Sequence, residues 1–97
     1  MYPFMIGTTE LKKLLRERRL LIVDLRPAIS FRKGHIPTAV SFPYQEGMTV
    51  SGLFRKYEGV VFYCERGITS TRLVLDLRKR NFRAFSLIGG YKAYLRS

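Results

Sequence analysis

Residues 60–72 read VVFYCERGITSTR, and they join three kinds of sequence in a fixed order. The run from Val60 to Tyr63 is β-branched and aromatic, which is typical of a buried strand. Cys64 follows directly, and Gly67 lies in the short loop after it, where a residue without Cβ lets the backbone curl tightly. The Ser-Thr pair at 70–71 can cap the helical pattern that comes next. The stretch therefore predicts a strand, a loop and a helix.

Cys64 is the only cysteine of the chain, and the pattern places it at the carboxyl end of the strand. Ligands of open α/β sheets bind at that edge. Loop N–H groups and a helix N-terminus both stabilise a thiolate, so this position favours a nucleophile. The alternative is a small buried residue without a chemical role. A core cysteine needs neither a glycine loop nor a helix cap directly after it, so we favour the nucleophile.

Composition limits the classes of protein that fit. The 97 residues are enough for one domain, residues 1–97, with a single core. One cysteine cannot form an internal disulfide, and neither a membrane-spanning run nor a signal-peptide pattern is present, so a cytoplasmic protein is expected. The formal net charge of +11 favours anionic partners. Nucleic acid has no support beyond this charge, and no spacing of metal ligands occurs.

Strand and helix patterns alternate along the rest of the chain. The run Leu20 to Leu25 is apolar almost throughout, as in a strand covered on both faces. In the first half of the chain, the other expected elements are an edge strand at Tyr2–Ile6, a helix from Thr8 or Thr9 to about Arg19, a helical turn at Ile29–Lys33, and a short strand holding Val40 and Phe42. In the second half they are a short helix at Leu53–Tyr57 that packs Leu53 and Phe54 inward, a helix with a buried stripe of Leu73, Val74 and Leu77 that ends at Asn81, a strand at Ala84–Leu87, and a last short amphipathic helix with Tyr91, Tyr94 and Leu95. This order predicts an α/β protein with a mainly parallel sheet between layers of helices.

Two further polar residues lie where they could assist a nucleophile. Asp24 ends the second strand and could orient groups near Cys64, but a structural pairing with backbone or an arginine is the favoured interpretation. His35 is the only histidine and could act as the base that activates the thiol. We favour a loop histidine that hydrogen-bonds to backbone.

Four blocks, taken in order, resemble the single-domain rhodaneses of the sulfurtransferase superfamily. They are the strand end at residues 23–26 (VDLR), the turn at 34–39 (GHIPTA, with Thr38 where glycine is usual), the loop at 63–70 (YCERGITS), and the block at 87–94 around Gly89-Gly90. Each block alone is a weak signal, but their order is specific, and together they span roughly the whole chain.

The resemblance implies a fold and a reaction. The fold is a rhodanese-like three-layer sandwich with a mainly parallel five-stranded sheet. In the reaction, Cys64 takes a sulfane sulfur from a donor, stores it as a persulfide and passes it to a thiophilic acceptor such as a thiol or cyanide. The loop residues Glu65, Arg66, Gly67, Ile68 and Thr69 would hold the terminal sulfur anion through their N–H groups. No metal or organic cofactor is implied.

The loop departs from many thiosulfate-using members at two positions, where Glu65 and Thr69 replace basic residues. A negative charge beside the thiol repels an anionic donor. Thiosulfate and a persulfide on a partner protein are therefore equal candidates for the donor.

Two other classes stay open. A cysteine phosphatase needs a longer loop with an arginine six residues after the cysteine, but Ser70 occupies that position. A rhodanese-fold module that only carries sulfur or binds proteins is the other alternative. The intact Cys64 and its glycine loop argue against an inert module, because inert relatives often lose the cysteine.

Overall fold

The computed structural model describes residues 4–48 and 52–97. The strands are β1 (Met5–Ile6), β2 (Leu20–Asp24), β3 (Val40–Ser41), β4 (Gly59–Tyr63) and β5 (Ala84–Leu87). The helices are α1 (Thr8–Glu17), α2 (Ala28–Lys33), α3 (Ile68–Lys79) and α4 (Gly90–Leu95), with a 3-10 helix at Gly52–Lys56. Our expectations for Tyr2, Pro3, residues 49–51 and the side chain of Leu53 lie outside the described part of the chain.

All described strand pairs are parallel, in the order β1-β5-β4-β2-β3. The two apolar runs of the sequence form the central pair, since Leu20 aligns with Gly59 and Asp24 with Tyr63. Every residue of β4 is buried, because helices cover both faces of the sheet at this point. The predicted α/β sandwich with a mainly parallel five-stranded sheet is confirmed.

The core has two parts, one on each face of the sheet. On one face, α3 contributes Leu73, Val74 and Leu77, as the sequence pattern predicts, and Phe54 packs against the same cluster. On the other face, Leu11 of α1 is fully buried, and aromatic side chains of α2 and α4 pack beside it. Since the helices lie on both faces, the carboxyl ends of all five strands are left open at one edge.

The expected helix starts were wrong. Gly7 precedes α1 in an extended conformation, and neither Thr8 nor Thr9 caps it with its side chain. Helix α3 begins at Ile68, two residues before the predicted cap, because Gly67 has φ +96° and turns the chain directly into the helix.

Predictions at two other helix ends had mixed outcomes. Asn81 follows α3 with φ +62°, which agrees with its predicted left-handed conformation. The predicted last amphipathic helix is present as α4, where Tyr91 and Tyr94 pack against the core, whereas Leu95 at its end is 63% exposed. Within the described ranges, no helix is both long enough and apolar enough to cross a membrane.

Candidate active site

Cys64 lies at the middle of the open edge, directly after the central strand β4. Its residue surface is 8% exposed, so the thiol sits at the base of the loop that follows and not on an outer surface. Neighbouring strands β2 and β5 end on either side of it. A reactant must therefore reach the sulfur through the space above the strand ends.

Two backbone N–H groups donate hydrogen bonds to the Cys64 sulfur. The N–H of Gly67 lies 3.2 Å from Sγ, and the N–H of Ser70, in the first turn of α3, lies 3.4 Å from it. Both donors belong to the start of a helix, whose partial positive charge adds to their effect. Donors placed in this way stabilise negative charge that develops on a sulfur atom during a reaction. Ser70 was not among the predicted site residues, because its role depends on where the helix begins.

A cluster of three hydroxyl groups lies behind the sulfur. The Ser70 hydroxyl is 3.5 Å from Sγ and 2.8 Å from the hydroxyl of Ser86, which lies 3.1 Å from that of Thr71. Thr71 donates to the carbonyl oxygen of Gly67 at 2.6 Å. The Ser70 hydroxyl can accept a hydrogen bond from a thiol, or rotate and donate to a thiolate while Ser86 donates to it in turn. The cluster can thus adapt to either charge state of the sulfur without leaving a buried hydroxyl unpaired.

The first turn of α4 holds the backbone of the cysteine loop. The N–H of Tyr91 donates to the carbonyl oxygen of Cys64 at 2.9 Å, and the N–H of Lys92 donates to that of Glu65 at 3.1 Å. Gly90 has φ +63° and packs so closely that a Cβ there would lie 2.7 Å from the Glu65 carbonyl carbon. Both carbonyl groups therefore point toward α4, which holds the first residues of the loop in place.

The carboxylate of Glu65 is turned toward a buried arginine. It lies 3.4 Å from a guanidinium nitrogen of Arg26 and is 51% exposed. Arg26 is itself held by Asp24 at 2.8 Å and lies over the ring of Tyr91, with 4.0 Å between its guanidinium carbon and the ring centre. Burial lowers the pKa of the Arg26 guanidinium, but the hydrogen bond and charge of Asp24 outweigh burial and raise it. Arg26 stays charged and compensates Glu65.

Asp24 and His35 both have structural roles. Asp24 is fully buried, binds Arg26 through both carboxylate oxygens and accepts a hydrogen bond from the hydroxyl of Tyr63. Burial and the bond to Asp24 raise the pKa of Tyr63. His35 is exposed, its Nδ1 lies 2.8 Å from the carbonyl oxygen of Phe31, and its ring stacks on that of Phe31. The favoured interpretation of both residues is confirmed.

The five predicted loop residues lie together around Cys64. Glu65, Arg66 and Ile68 are exposed, Thr69 is half-buried and Gly67 is buried with the left-handed backbone that its predicted role requires. Only the N–H of Gly67 is directed at Sγ among these five; the other four stay predicted ligands of a transferred sulfur. Among the described residues, no three His, Cys, Asp or Glu side chains are arranged to hold a metal ion.

Comparison with known proteins identifies the family. The model of the rhodanese-like domain matches residues 7–97. The thiosulfate sulfurtransferase GlpE of Coxiella burnetii (strain RSA 331) is 29% identical over 90 residues, which are 92% of this chain and 84% of that protein. A rhodanese homologue of Thermus thermophilus is 31% identical with a TM-score of 0.67, covering 92% of this chain and 98% of its own.

A third similar protein, the human single-domain sulfurtransferase TSTD1, has a TM-score of 0.78 over 99% of this chain and 98% of its own, at 22% identity, and so supports the fold. The family match spans the strand, the cysteine loop and the two helices that hold the loop in place. The chain therefore belongs to the rhodanese-like domain family.

Proposed function

We propose that this protein is a sulfurtransferase that acts through a Cys64 persulfide, as one domain. The observation that carries the proposal is the pair of N–H groups of Gly67 and Ser70, at 3.2 and 3.4 Å from the Cys64 sulfur. They stabilise negative charge on Sγ, which is needed twice: when the thiolate attacks, and when it leaves as the persulfide is consumed. The relatives that are named as sulfurtransferases support the same class of reaction.

The first half-reaction loads the sulfur. The Cys64 thiolate attacks the outer sulfur of thiosulfate, a sulfur–sulfur bond forms, and the bond to the sulfonate sulfur breaks, so that sulfite leaves with the electron pair. With a persulfide donor, the thiolate attacks the terminal sulfur and the donor leaves as its thiolate. Charge is conserved in both cases. The N–H groups of residues 65–69 follow Cys64 in the loop and are the proposed ligands of the terminal sulfur anion.

The second half-reaction returns the thiolate. A cyanide ion or a thiolate attacks the terminal sulfur, the bond to Sγ breaks, and thiocyanate or a new persulfide leaves. Gly67 and Ser70 then stabilise the departing Cys64 thiolate through the contacts already present. The chain supplies every protein group that these two steps use.

Intact mass is the direct test of this proposal. The protein is incubated with thiosulfate or with glutathione persulfide, excess donor is removed, and the mass is measured before and after cyanide. We expect a gain of one sulfur, located on Cys64, which cyanide removes. The Cys64→Ser variant is nearly isosteric, so it should fold normally and gain no sulfur. If neither donor adds sulfur to the folded wild-type protein, the proposed function is wrong.

The phosphatase alternative gains nothing from the geometry. Ser70 stands six residues after Cys64, and its side chain is buried against the sulfur and Ser86, so it offers no charge to a phosphate. Hydrolysis of p-nitrophenyl phosphate by the wild-type protein, lost in Cys64→Ser, would support that class instead. A sulfur-carrying module without turnover would show a persulfide that forms but is not consumed by cyanide or thiols.

A further inference from the structure

We infer that the open edge around Cys64 is a docking surface for an acidic, partly apolar protein segment that presents a cysteine persulfide. This inference rests on the proposed sulfur transfer and decides between its two candidate donors. We call the surface the docking edge and define it by five exposed apolar residues: Ile29, Tyr44, Ile68, Ile88 and Leu95.

The docking edge concentrates the exposed apolar surface of the protein. The described residues leave seven large apolar side chains exposed, and five of them form this edge, with exposures from 39% to 66%. Ile29, Tyr44, Ile68 and Ile88 each follow the end of a different strand, which places them around the end of β4. Clustered apolar side chains around a reactive group mark an interaction site, whereas single scattered ones do not.

Two clefts lie near this edge: the first borders the cysteine loop, and the second lies beside α3. One, of about 480 Å³, is lined by Arg26, Lys33, Glu65, Tyr91 and Leu95 among others. The other, of about 150 Å³, separates the loop after β3 from α3 and is lined by Tyr44, Met48, Arg72 and Leu73 among others. A single small anion does not fill these clefts or contact the aliphatic rim. An extended peptide segment that crosses the edge can fill the clefts and contact the aliphatic rim. It can also bring its persulfide to the Cys64 sulfur, which is only slightly exposed.

The charges at the edge select an acidic partner. Four exposed cations lie there, and none is ion-paired within the described residues: Lys33, Arg66, Arg72 and Lys92. The nearby acids are Glu65, already paired with Arg26, Asp76 beside the second cleft, already paired with Arg80, and Glu46 in the loop after β3. Unpaired cations around an apolar centre attract an acidic segment and set its orientation. Nucleic acid would use the cations but not the aliphatic side chains, so the edge fits a peptide better.

The test compares four sulfur donors on the same protein. They are an acidic peptide of about 12 residues, rich in Glu and Leu, with a C-terminal cysteine persulfide, its counterpart with Lys in place of Glu, glutathione persulfide, and thiosulfate. Loading of Cys64 is followed by mass. We expect the acidic peptide to load the protein with a KM at least about tenfold below those of the other three at low salt, and this advantage to shrink in high salt.

Matched variants separate the docking edge from general effects. Ile88→Gln and Ile29→Gln should each raise the KM for the acidic peptide about fivefold, corresponding to loss of part of one apolar contact, and leave thiosulfate loading unchanged. Leu75→Gln is the control, because Leu75 lies farther along α3 and is 44% exposed, as Ile88 is. Lys33→Glu should raise the same KM, whereas Lys79→Glu, also at the last residue of a helix but away from the edge, should not.

The outcomes distinguish this inference from the proposed function. If Cys64 takes sulfur from no donor, the proposed function fails. If it takes sulfur from small donors but the acidic peptide has no advantage, or the Ile88 and Leu75 variants behave alike, the docking edge is refuted and the transfer stands. Stronger competition against peptide loading by a single-stranded RNA than by the unmodified acidic peptide would also refute it, in favour of nucleic acid.

Discussion

Alanine substitutions at three glycines with left-handed backbones can test whether the contact between α4 and the cysteine loop positions the loop for sulfur transfer. Gly47, Gly67 and Gly90 have φ values of +75°, +96° and +63°, so alanine is strained at all three positions. Their surroundings differ: a Cβ at Gly47 would meet nothing within 4 Å, one at Gly67 would come within 3.2 Å of the Gly89 nitrogen, and one at Gly90 would lie 2.7 Å from the Glu65 carbonyl carbon. The three alanine variants therefore share a similar cost of backbone strain but differ in how closely the new Cβ packs against neighbouring atoms.

The magnitudes follow from this geometry. Alanine in a left-handed conformation costs about 1–2 kcal/mol, which is all we expect for Gly47→Ala. At Gly90 the added Cβ would overlap the Cys64 carbonyl oxygen, which lies even closer to it than the Glu65 carbonyl carbon at 2.7 Å. Since ordinary van der Waals contact begins at 3.4 Å, α4 and the loop must part by more than 0.7 Å. Overpacking of this kind adds about 1–3 kcal/mol, for a total of about 2–5 kcal/mol. Gly67→Ala should fall between the two.

Sulfur transfer should respond more sharply than the free energy of unfolding. The backbone atoms that must move at Gly90 belong to Cys64 and Glu65, whose carbonyl groups α4 binds. A displacement near 1 Å at a reacting group costs about 100-fold in rate, so we expect Gly90→Ala to slow transfer about 10- to 100-fold and Gly47→Ala to leave it unchanged. Urea unfolding gives the stabilities, and thiocyanate formation gives the rates.

The control for a merely unfolded variant is the far-UV circular dichroism of each protein at the assay temperature. The reasoning is refuted if folded Gly90→Ala transfers sulfur at the rate of Gly47→Ala, or if the two lose the same stability. Either result would mean that α4 does not position the loop.

Three further predictions concern single side chains. Since Arg26 already compensates the charge of Glu65, Glu65→Gln should raise kcat/KM for thiosulfate only about two- to threefold, and Arg66→Gln should lower it by a similar factor. Steady-state kinetics should show both effects shrinking in high salt. Ser86→Ala should shorten the lifetime of the persulfide seen by mass, because the Ser70 hydroxyl loses the donor that supports it when it turns to the sulfur, and Ser86→Thr should restore part of that lifetime. The backbone N–H of Arg19, which donates to the Glu58 carboxylate, is the main cause that lowers the pKa of Glu58. Glu58→Gln should therefore be less stable than the wild type above about pH 4.5, and this difference in stability should vanish as pH falls through the lowered pKa. Urea unfolding of both proteins at several pH values is the test, and an undiminished difference at about pH 2.5 would contradict the prediction.

Local pattern was enough to predict the central strands and the glycine loop, and to propose Cys64 as the nucleophile. The central strands β2 and β4 are apolar almost throughout. A strand covered on both faces has no side chains that reach water, so it needs apolar residues at nearly every position, and a run of this kind can be recognised in the sequence. Gly67 was identifiable because a loop of a few residues between a strand and a helix needs a residue that tolerates positive φ. Asn81 was predicted for the same reason.

Only the tertiary structure decided which residues hold the cysteine loop in place and which charges lie beside it. Ser70 looked like a helix cap, but the turn at Gly67 starts the helix earlier and brings the N–H and hydroxyl of Ser70 to the sulfur. Ser86 and Gly90 are distant from Cys64 in sequence, and they reach it because β5 lies beside β4. The direction of Glu65 depends on Arg26, which follows the strand on the other side. Contacts between neighbouring parallel strands join residues that no local pattern relates, so these features could not be derived from the sequence.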